Sequence, residues 1–237
     1  MLPINDVVNS SVSKGETLTD TMHCLQSYSD IIVLRHSSIG SALHASSVLS
    51  IPLINAGDGA GEHPTQALLD IYTIYSECNA IDNLTITICG DLLYGRTVHS
   101  LSYALLHYHN ITINYVSPEF LRCPVDIVNK LKSNHITVNE TTDLTSVLHT
   151  SDVLYVTRVQ KERFTDIQQY NTAIQSYCIT SELLKQCKSS MRILHPLPRV
   201  NEISIDVDND PRACYFKQMK YGLYMRMALL ACVVGRA

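Results

Sequence analysis

Short apolar runs alternate with stretches of helical periodicity along this 237-residue sequence, and each run ends in glycine or a hydrogen-bond donor. Ile31–Leu34 leads into Arg35-His36, Ile51–Ile54 into Asn55, and Leu84–Cys89 into the loop Gly90–Arg96. Ile111–Val116 precedes Ser117-Pro118, Val153–Val156 precedes Thr157-Arg158, and Met191–Leu194 precedes His195-Pro-Leu-Pro-Arg199; Ile136–Val138 is a further short strand. Between them, helices are expected from Thr17 or Glu16 (with Leu18, Met22, Leu25 and Tyr28 on one face), over Ser41–Leu49, Thr97–His107, Val125–Lys132, Leu144–Leu148 and Ser181–Lys188, and from about Tyr224 to Val234. Strands that alternate with helices pack as right-handed βαβ units, so the fold class is α/β, with parallel sheets flanked by helices. Ligands of such sheets sit beyond the carboxyl ends of the strands. Those ends, with the loop after Ile54, carry Arg35, His63, Arg96 and Arg158, which are expected to converge on one pocket.

The stretch Asn55-Ala-Gly-Asp-Gly-Ala-Gly-Glu-His-Pro-Thr-Gln-Ala-Leu-Leu-Asp70 is the most informative single segment. A loop with three glycines opens into a helix at Pro64, whose fixed φ and missing N–H suit a first helical position. Ala67, Leu68, Ile71, Tyr72, Ile74, Tyr75 and Cys78 then read as one apolar face. The first-turn N–H groups of such a helix lack internal partners and favour an anion or a polarised carbonyl oxygen. His63 and Gln66 add side-chain donors at the same end.

A cluster of arginines at strand ends, in a chain whose net charge is -4, is a focused positive site. Guanidinium forks pair with carboxylate and phosphate oxygens, so the ligand is expected to be a small polyanion: a phosphate, a dicarboxylate, or both. No basic run is present, which argues against nucleic acid. No apolar run reaches the about 20 residues of a membrane span, and the first residues lack the pattern of a signal peptide. The cytoplasm is the expected location. The cysteines (Cys24, Cys78, Cys89, Cys123, Cys178, Cys187, Cys214 and Cys232) are scattered without C-x-x-C pairs, so neither a disulfide framework nor a zinc site is expected. Asp58, Glu62 and Asp91 match no carboxylate metal motif, and a loop-stabilising role is expected for such aspartates. Dinucleotide, P-loop and nucleophile-elbow motifs are missing, and no cofactor or metal is expected.

Four blocks carry a family likeness: Asn55–Asp70, Gly90-Asp-Leu-Leu-Tyr-Gly-Arg-Thr-Val-His-Ser-Leu101, Thr157-Arg-Val-Gln-Lys-Glu-Arg-Phe164 and His195-Pro-Leu-Pro-Arg-Val-Asn-Glu-Ile203. Together with Asp206–Phe216 and Met225–Leu230, they resemble aspartate carbamoyltransferase over nearly the whole chain. Glu62-His63, Lys161–Phe164 and Asn201–Ser204 look most like the form fused inside the animal multifunctional pyrimidine-synthesis protein.

The resemblance implies transfer of the carbamoyl group of carbamoyl phosphate to the amine of L-aspartate, in de novo pyrimidine biosynthesis. It implies that Arg35, His63 and Gln66 hold carbamoyl phosphate, with Arg35 and His63 donating to the carbamoyl oxygen as catalytic groups. Arg96, Arg158 and Gln160 would grip the aspartate carboxylates. The Pro196 and Leu197 carbonyls would orient the amine, beside a cis peptide between Leu197 and Pro198. Ser11 and Lys14 resemble a loop that reaches both substrates in a neighbouring subunit, with Ser10 and Ser13 as alternatives for the serine. A homotrimer with shared active sites is implied, as is a parent polypeptide that also carries carbamoyl phosphate synthetase and dihydroorotase. The implied fold has two domains, 1–80 with 215–237 for carbamoyl phosphate and 81–214 for aspartate.

The sequence departs from the family in lacking a Ser-Thr-Arg-Thr-Arg phosphate loop. The first domain is therefore expected to be incomplete, and this chain alone to turn over weakly or to serve as an assembly module. Leu93 stands where a Lys or His is usual, and Tyr221 where Asn is usual. Ornithine carbamoyltransferase fits poorly, because its turn reads His-Cys-Leu-Pro where this chain has His195-Pro-Leu-Pro198.

Overall fold

The computed structural model describes residues 11–59, 61–159, 168, 170 and 177–235. These form two compact units, one running to His63 and resuming at Ala228, the other spanning Pro64–Met227.

In the smaller unit a 3-10 turn (Ser11–Lys14) precedes helix α1 (Leu18–Gln26). Thr17 starts α1 as expected, its hydroxyl accepting the Asp20 N–H at 3.1 Å. Strands β1 (Ile32–His36) and β2 (Leu53–Asp58) run parallel and are joined by helix α2 (Ser41–Val48). Met22, Ile32 and Ala45 form the centre of this core. The expected buried strand is covered on one face only. Side chains alternate along a strand, so Ile32 is buried while Val33 points the other way and is 58% exposed. Tyr28 lies beyond the end of α1 and is exposed rather than part of its apolar face.

The larger unit opens with α3 (Pro64–Cys78) and holds a five-stranded parallel sheet. Its strands are β3 (Thr85–Cys89), β4 (Thr112–Val116), β5 (Thr137–Thr141), β6 (Val153–Val156) and β7 (Arg192–Leu194), in the spatial order β5-β4-β3-β6-β7. Helices α4 (Arg96–Leu105), α5 (Val125–Ser133) and α6 (Thr145–Leu148) lie in the connections. Strands β3, β4, β6 and β7 are largely buried on both faces, whereas the edge strand β5 is mostly exposed. Val153 and Tyr155 pack with Ile86, Ile88, Leu101 and Ile113, whereas Leu154 and Val156 pack with Cys89, Val116, Leu184 and Ile193. Continuous apolar runs are what such doubly covered strands require.

Three expectations are corrected in this unit. Over Ser181–Lys188 only a 3-10 turn, Leu183–Gln186, forms. The closing helix α7 starts at Tyr215 rather than near Tyr224, and runs to Val233. In α3 the buried stripe is Thr65, Gln66, Ala67, Leu69, Asp70, Thr73 and Ile74, while Leu68 and Tyr75 are exposed. Helix α3 and α7 up to Met227 pack within the larger unit. Among the described residues no helix is long and apolar enough to cross a membrane.

Candidate functional site

The strand order reverses direction between β3 and β6: the chain steps outward to β4 and β5, then returns to β6 and β7 on the other side. At such a switch point the two following loops leave in opposite directions and open a crevice. Gly90 follows β3 and Thr157-Arg158 follows β6, with Cys89 in register with Val156. A pocket of about 50 Å³ lies there, lined by Gly90, Thr157, Arg158, Tyr177 and Glu202 among others.

The two strand ends are tied together. The Thr157 N–H donates to the Cys89 carbonyl (2.9 Å), and the Asp91 N–H donates to the Thr157 hydroxyl (3.1 Å). Asp91 is fully buried and accepts the Tyr94 N–H at 2.9 Å, which shapes the loop that delivers Arg96 to the first position of α4. Arg96 and Arg158 are each partly buried and stand past neighbouring strands. Leu93 is half-buried in the same loop.

The turn after β7 is held by a buried histidine. His195 accepts the Leu197 N–H on Nδ1 (2.8 Å), so Nε2 carries the proton that it donates to Glu202 Oε1 (2.7 Å). The other Glu202 oxygen accepts the Val200 and Asn201 N–H groups. Burial pushes the Glu202 carboxyl up, but the His195 hydrogen bond and these backbone donors outweigh it and leave its pKa below the usual value. Leu197 adopts a φ of +54°, and the Leu197-Pro198 peptide is cis, as expected. Arg199 closes the turn with a bidentate pair to Asp208, which also accepts the Tyr215 hydroxyl.

At the start of α3, Gln66 is buried and its Nε2 donates to Asp70 Oδ1 at 2.9 Å. The same oxygen accepts Gln218 Nε2 (2.6 Å), and Oδ2 accepts the Tyr155 hydroxyl (2.8 Å). Gln218 Oε1 accepts the His195 N–H at 3.0 Å. Gln66 is thereby brought into one hydrogen-bonded network with the turn that carries Pro196 and Leu197. Burial drives the Asp70 carboxyl up, and although these three hydrogen bonds pull it back, it settles at about 7.

In the smaller unit Asp58 organises the loop between β2 and His63, as expected for a loop-stabilising aspartate. Its carboxylate accepts the Gly40 N–H (2.9 Å) and the Glu62 N–H (2.8 Å). Arg35 is exposed on β1, and His63 is half-buried where that unit ends. Ser11 and Lys14 are exposed in the first 3-10 turn. Gln160 lies outside the described residues.

Asp70, Tyr155, Gln218 and Glu202 were not singled out from the sequence. One signal was available: Asp70 stands four positions after Gln66, on the same face of a helix.

Residues 82–233 match the family model for the Asp/Orn binding domain of aspartate/ornithine carbamoyltransferase, and residues 2–76 match that for its carbamoyl-P binding domain. The chain is 52% identical over 230 residues to multifunctional protein pyr1-3 of Dictyostelium discoideum, covering 97% of this chain and 10% of that one. It is 50% identical over 235 residues to the aspartate carbamoyltransferase catalytic subunit of Thermoplasma volcanium, covering 99% of this chain and 76% of the relative. Thus it spans about a tenth of the multifunctional relative and about three quarters of the separate catalytic subunit. Aspartate transcarbamoylase of Trypanosoma cruzi, solved with N-(phosphonacetyl)-L-aspartic acid, superposes with a TM-score of 0.90 at 45% identity, covering 96% of this chain and 73% of that one. Family-model matches over most of the chain, identity near one half and a shared fold agree: this chain belongs to the aspartate/ornithine carbamoyltransferase family, on its aspartate carbamoyltransferase branch.

Proposed function

We propose that this protein transfers the carbamoyl group of carbamoyl phosphate to the α-amine of L-aspartate, giving N-carbamoyl-L-aspartate and phosphate for de novo pyrimidine synthesis. The observation that carries this reading is the likeness to a T. cruzi aspartate transcarbamoylase solved with carbamoyl phosphate and aspartate, at 44% identity and a TM-score of 0.88. In the transfer the unprotonated amine attacks the carbamoyl carbon and a C–N bond forms. The bond between the carbamoyl carbon and the bridging oxygen breaks, phosphate leaves with the electron pair, and the proton released by the amine goes to the departing phosphate. Arg35 and His63 are assigned to the carbamoyl oxygen, where charge grows as the carbon becomes tetrahedral. Gln66 completes the carbamoyl end, with Ser11 and Lys14 supplied from a neighbouring subunit. Arg96, Arg158 and Gln160 take the two carboxylates of aspartate, and the Pro196 and Leu197 carbonyls take its amine. Placing both reactants side by side supplies much of the rate.

On this reading residues 1–80 with 215–237 serve carbamoyl phosphate and 81–214 serve aspartate. The protein works as a homotrimer in the cytoplasm. Its likeness to pyr1-3 and to the CAD protein of Squalus acanthias supports a multifunctional setting, shared with carbamoyl phosphate synthetase and dihydroorotase. The arginines at the switch point and the proline at position 196 speak against ornithine as the acceptor.

Calorimetric titration with carbamoyl phosphate and then with succinate, beside an assay for carbamoyl-aspartate, tests the assignment. Binding of both, with product formed, is expected. Binding of neither would leave an assembly module in its place.

A further inference from the structure

Asp70 is hydrogen-bonded to Gln66, one of the groups assigned to substrate, and donors from three separate elements meet on its fully buried carboxyl. Gln66 reaches it from the first turn of α3, Tyr155 from β6 and Gln218 from α7. Gln218 then holds the backbone N–H of His195, directly before Pro196 and Leu197. An unpaired carboxyl in this position would be strongly disfavoured, and a leucine there would fill the core without any polar partner to satisfy.

We propose that Asp70 is a positioning residue for carbamoyl transfer: it fixes the Gln66 amide and, through Gln218, the His195–Leu197 turn in one shared frame. The inference rests on the roles given above to Gln66, Pro196 and Leu197. Its physical core is the orientation of two amides. An ionised carboxylate only accepts hydrogen bonds, so both glutamines must turn their N–H sides toward it. For Gln218 this leaves Oε1 as the atom that meets the His195 N–H, as the structure shows. For Gln66 it settles which end of the amide is committed to the protein and which is offered elsewhere. One carboxyl therefore sets the register between the group at the carbamoyl end and the turn that orients the amine.

Other charged or titratable groups facing Asp70 are the Tyr155 hydroxyl and the Arg226 guanidinium, with Thr97 backing Tyr155. A proton on Asp70 Oδ2 would displace the hydrogen bond that Tyr155 donates there. The frame is thus tightest with Asp70 ionised.

Steady-state kinetics on Asp70→Leu, Asp70→Asn, Gln218→Met and the unaltered protein, from about pH 5.5 to about pH 9, test the proposal. In Asp70→Leu, kcat is expected to fall about 10²-fold while both KM values stay within about 3-fold, the signature of misplacement rather than lost affinity. Asp70→Asn keeps an oxygen for the two amides, so kcat should recover to within about 10-fold of the unaltered protein and no longer fall with acid through Asp70 titration. Gln218→Met releases the turn alone and should lower kcat about 10-fold. A kcat within about twofold in Asp70→Leu, or equal losses in Asp70→Leu and Asp70→Asn, overturns the proposal. Should Asp70→Leu fail to fold, an unchanged kcat in Gln218→Met together with an unchanged pH profile in Asp70→Asn overturns it. If the unaltered protein forms no carbamoyl-aspartate, the functional reading falls and takes this inference with it. An active parent with insensitive variants removes the inference alone.

Discussion

Gly90 approaches Thr157 so closely that a Cβ on Gly90 would stand 2.3 Å from the Thr157 carbonyl oxygen. The backbone at Gly90 has a φ of +126°, a region that side chains with a Cβ rarely enter. The contact joins the ends of β3 and β6 at the point from which Arg158 departs. Gly90→Ala is therefore expected to force these ends apart, costing about 2–4 kcal/mol of stability. The Asp91-to-Thr157 hydrogen bond should go with it, and KM for aspartate should rise as Arg158 is displaced. Thermal unfolding together with aspartate saturation curves reads both effects.

Much of the larger unit was legible because its central strands are buried on both faces and read as apolar runs. The predicted strand over Val153–Val156 forms as drawn, and Leu84–Cys89 differs by one residue at its start. What stayed hidden was the order β5-β4-β3-β6-β7, because a strand buried on both faces carries no mark of its neighbours. The buried face of α3 was missed for a different reason. Hydrophobic periodicity assumes that buried means apolar, whereas here Gln66, Asp70 and Thr73 are satisfied by each other, by β6, by α7 and by the helix backbone. Glu202 and Tyr215 were invisible for a related reason: their partners, His195 and Asp208, are brought to them by the turn after β7 and the 3-10 turn before α7.

The buried Asp70 carboxyl also makes stability depend on pH. Its pKa is about 7 in the folded protein against the ordinary 3.8. Well below pH 3.8 it is protonated in both states. Between these values the unfolded chain has released a proton that the folded chain keeps, so stability falls as pH rises, and above about 7 the loss is complete. The full difference corresponds to about 4 kcal/mol. In Asp70→Asn this slope should vanish. Denaturant unfolding of both proteins at a series of pH values gives the comparison, and parallel curves would contradict it.

Glu202 has the opposite sign. Its carboxyl lies below its usual pKa because His195 and two backbone N–H groups donate to it, despite burial. Its contribution is present above the unfolded pKa and is lost as pH falls through the folded one. Glu202→Ala leaves the buried His195 ring without its acceptor and frees the turn, which should cost about 1–3 kcal/mol. If the Pro196 and Leu197 carbonyls orient the amine, kcat should fall as well. Glu202→Gln retains an acceptor oxygen and should lie between the two. Urea unfolding and steady-state kinetics measured side by side separate the effects.

Arg158 is the sharpest test of what the switch-point crevice recognises. It emerges from β6 into a small pocket beside Thr157 and Glu202, at the place where the fold presents ligands. A guanidinium meets a carboxylate through two parallel N–H groups, which a lysine ammonium cannot reproduce. Arg158→Lys keeps the charge and loses the fork, so KM for aspartate should rise about 10-fold. Arg158→Gln loses both and should raise it about 10²-fold, the scale of a charge-assisted pair of about 2–3 kcal/mol. Affinity for carbamoyl phosphate should stay within about twofold, since the residues assigned to it lie elsewhere in the chain. Succinate titrations distinguish this from general damage to the site: succinate carries the two carboxylates without the amine. A loss confined to aspartate turnover, with succinate bound as before, would move Arg158 from binding the dicarboxylate to orienting the nucleophile.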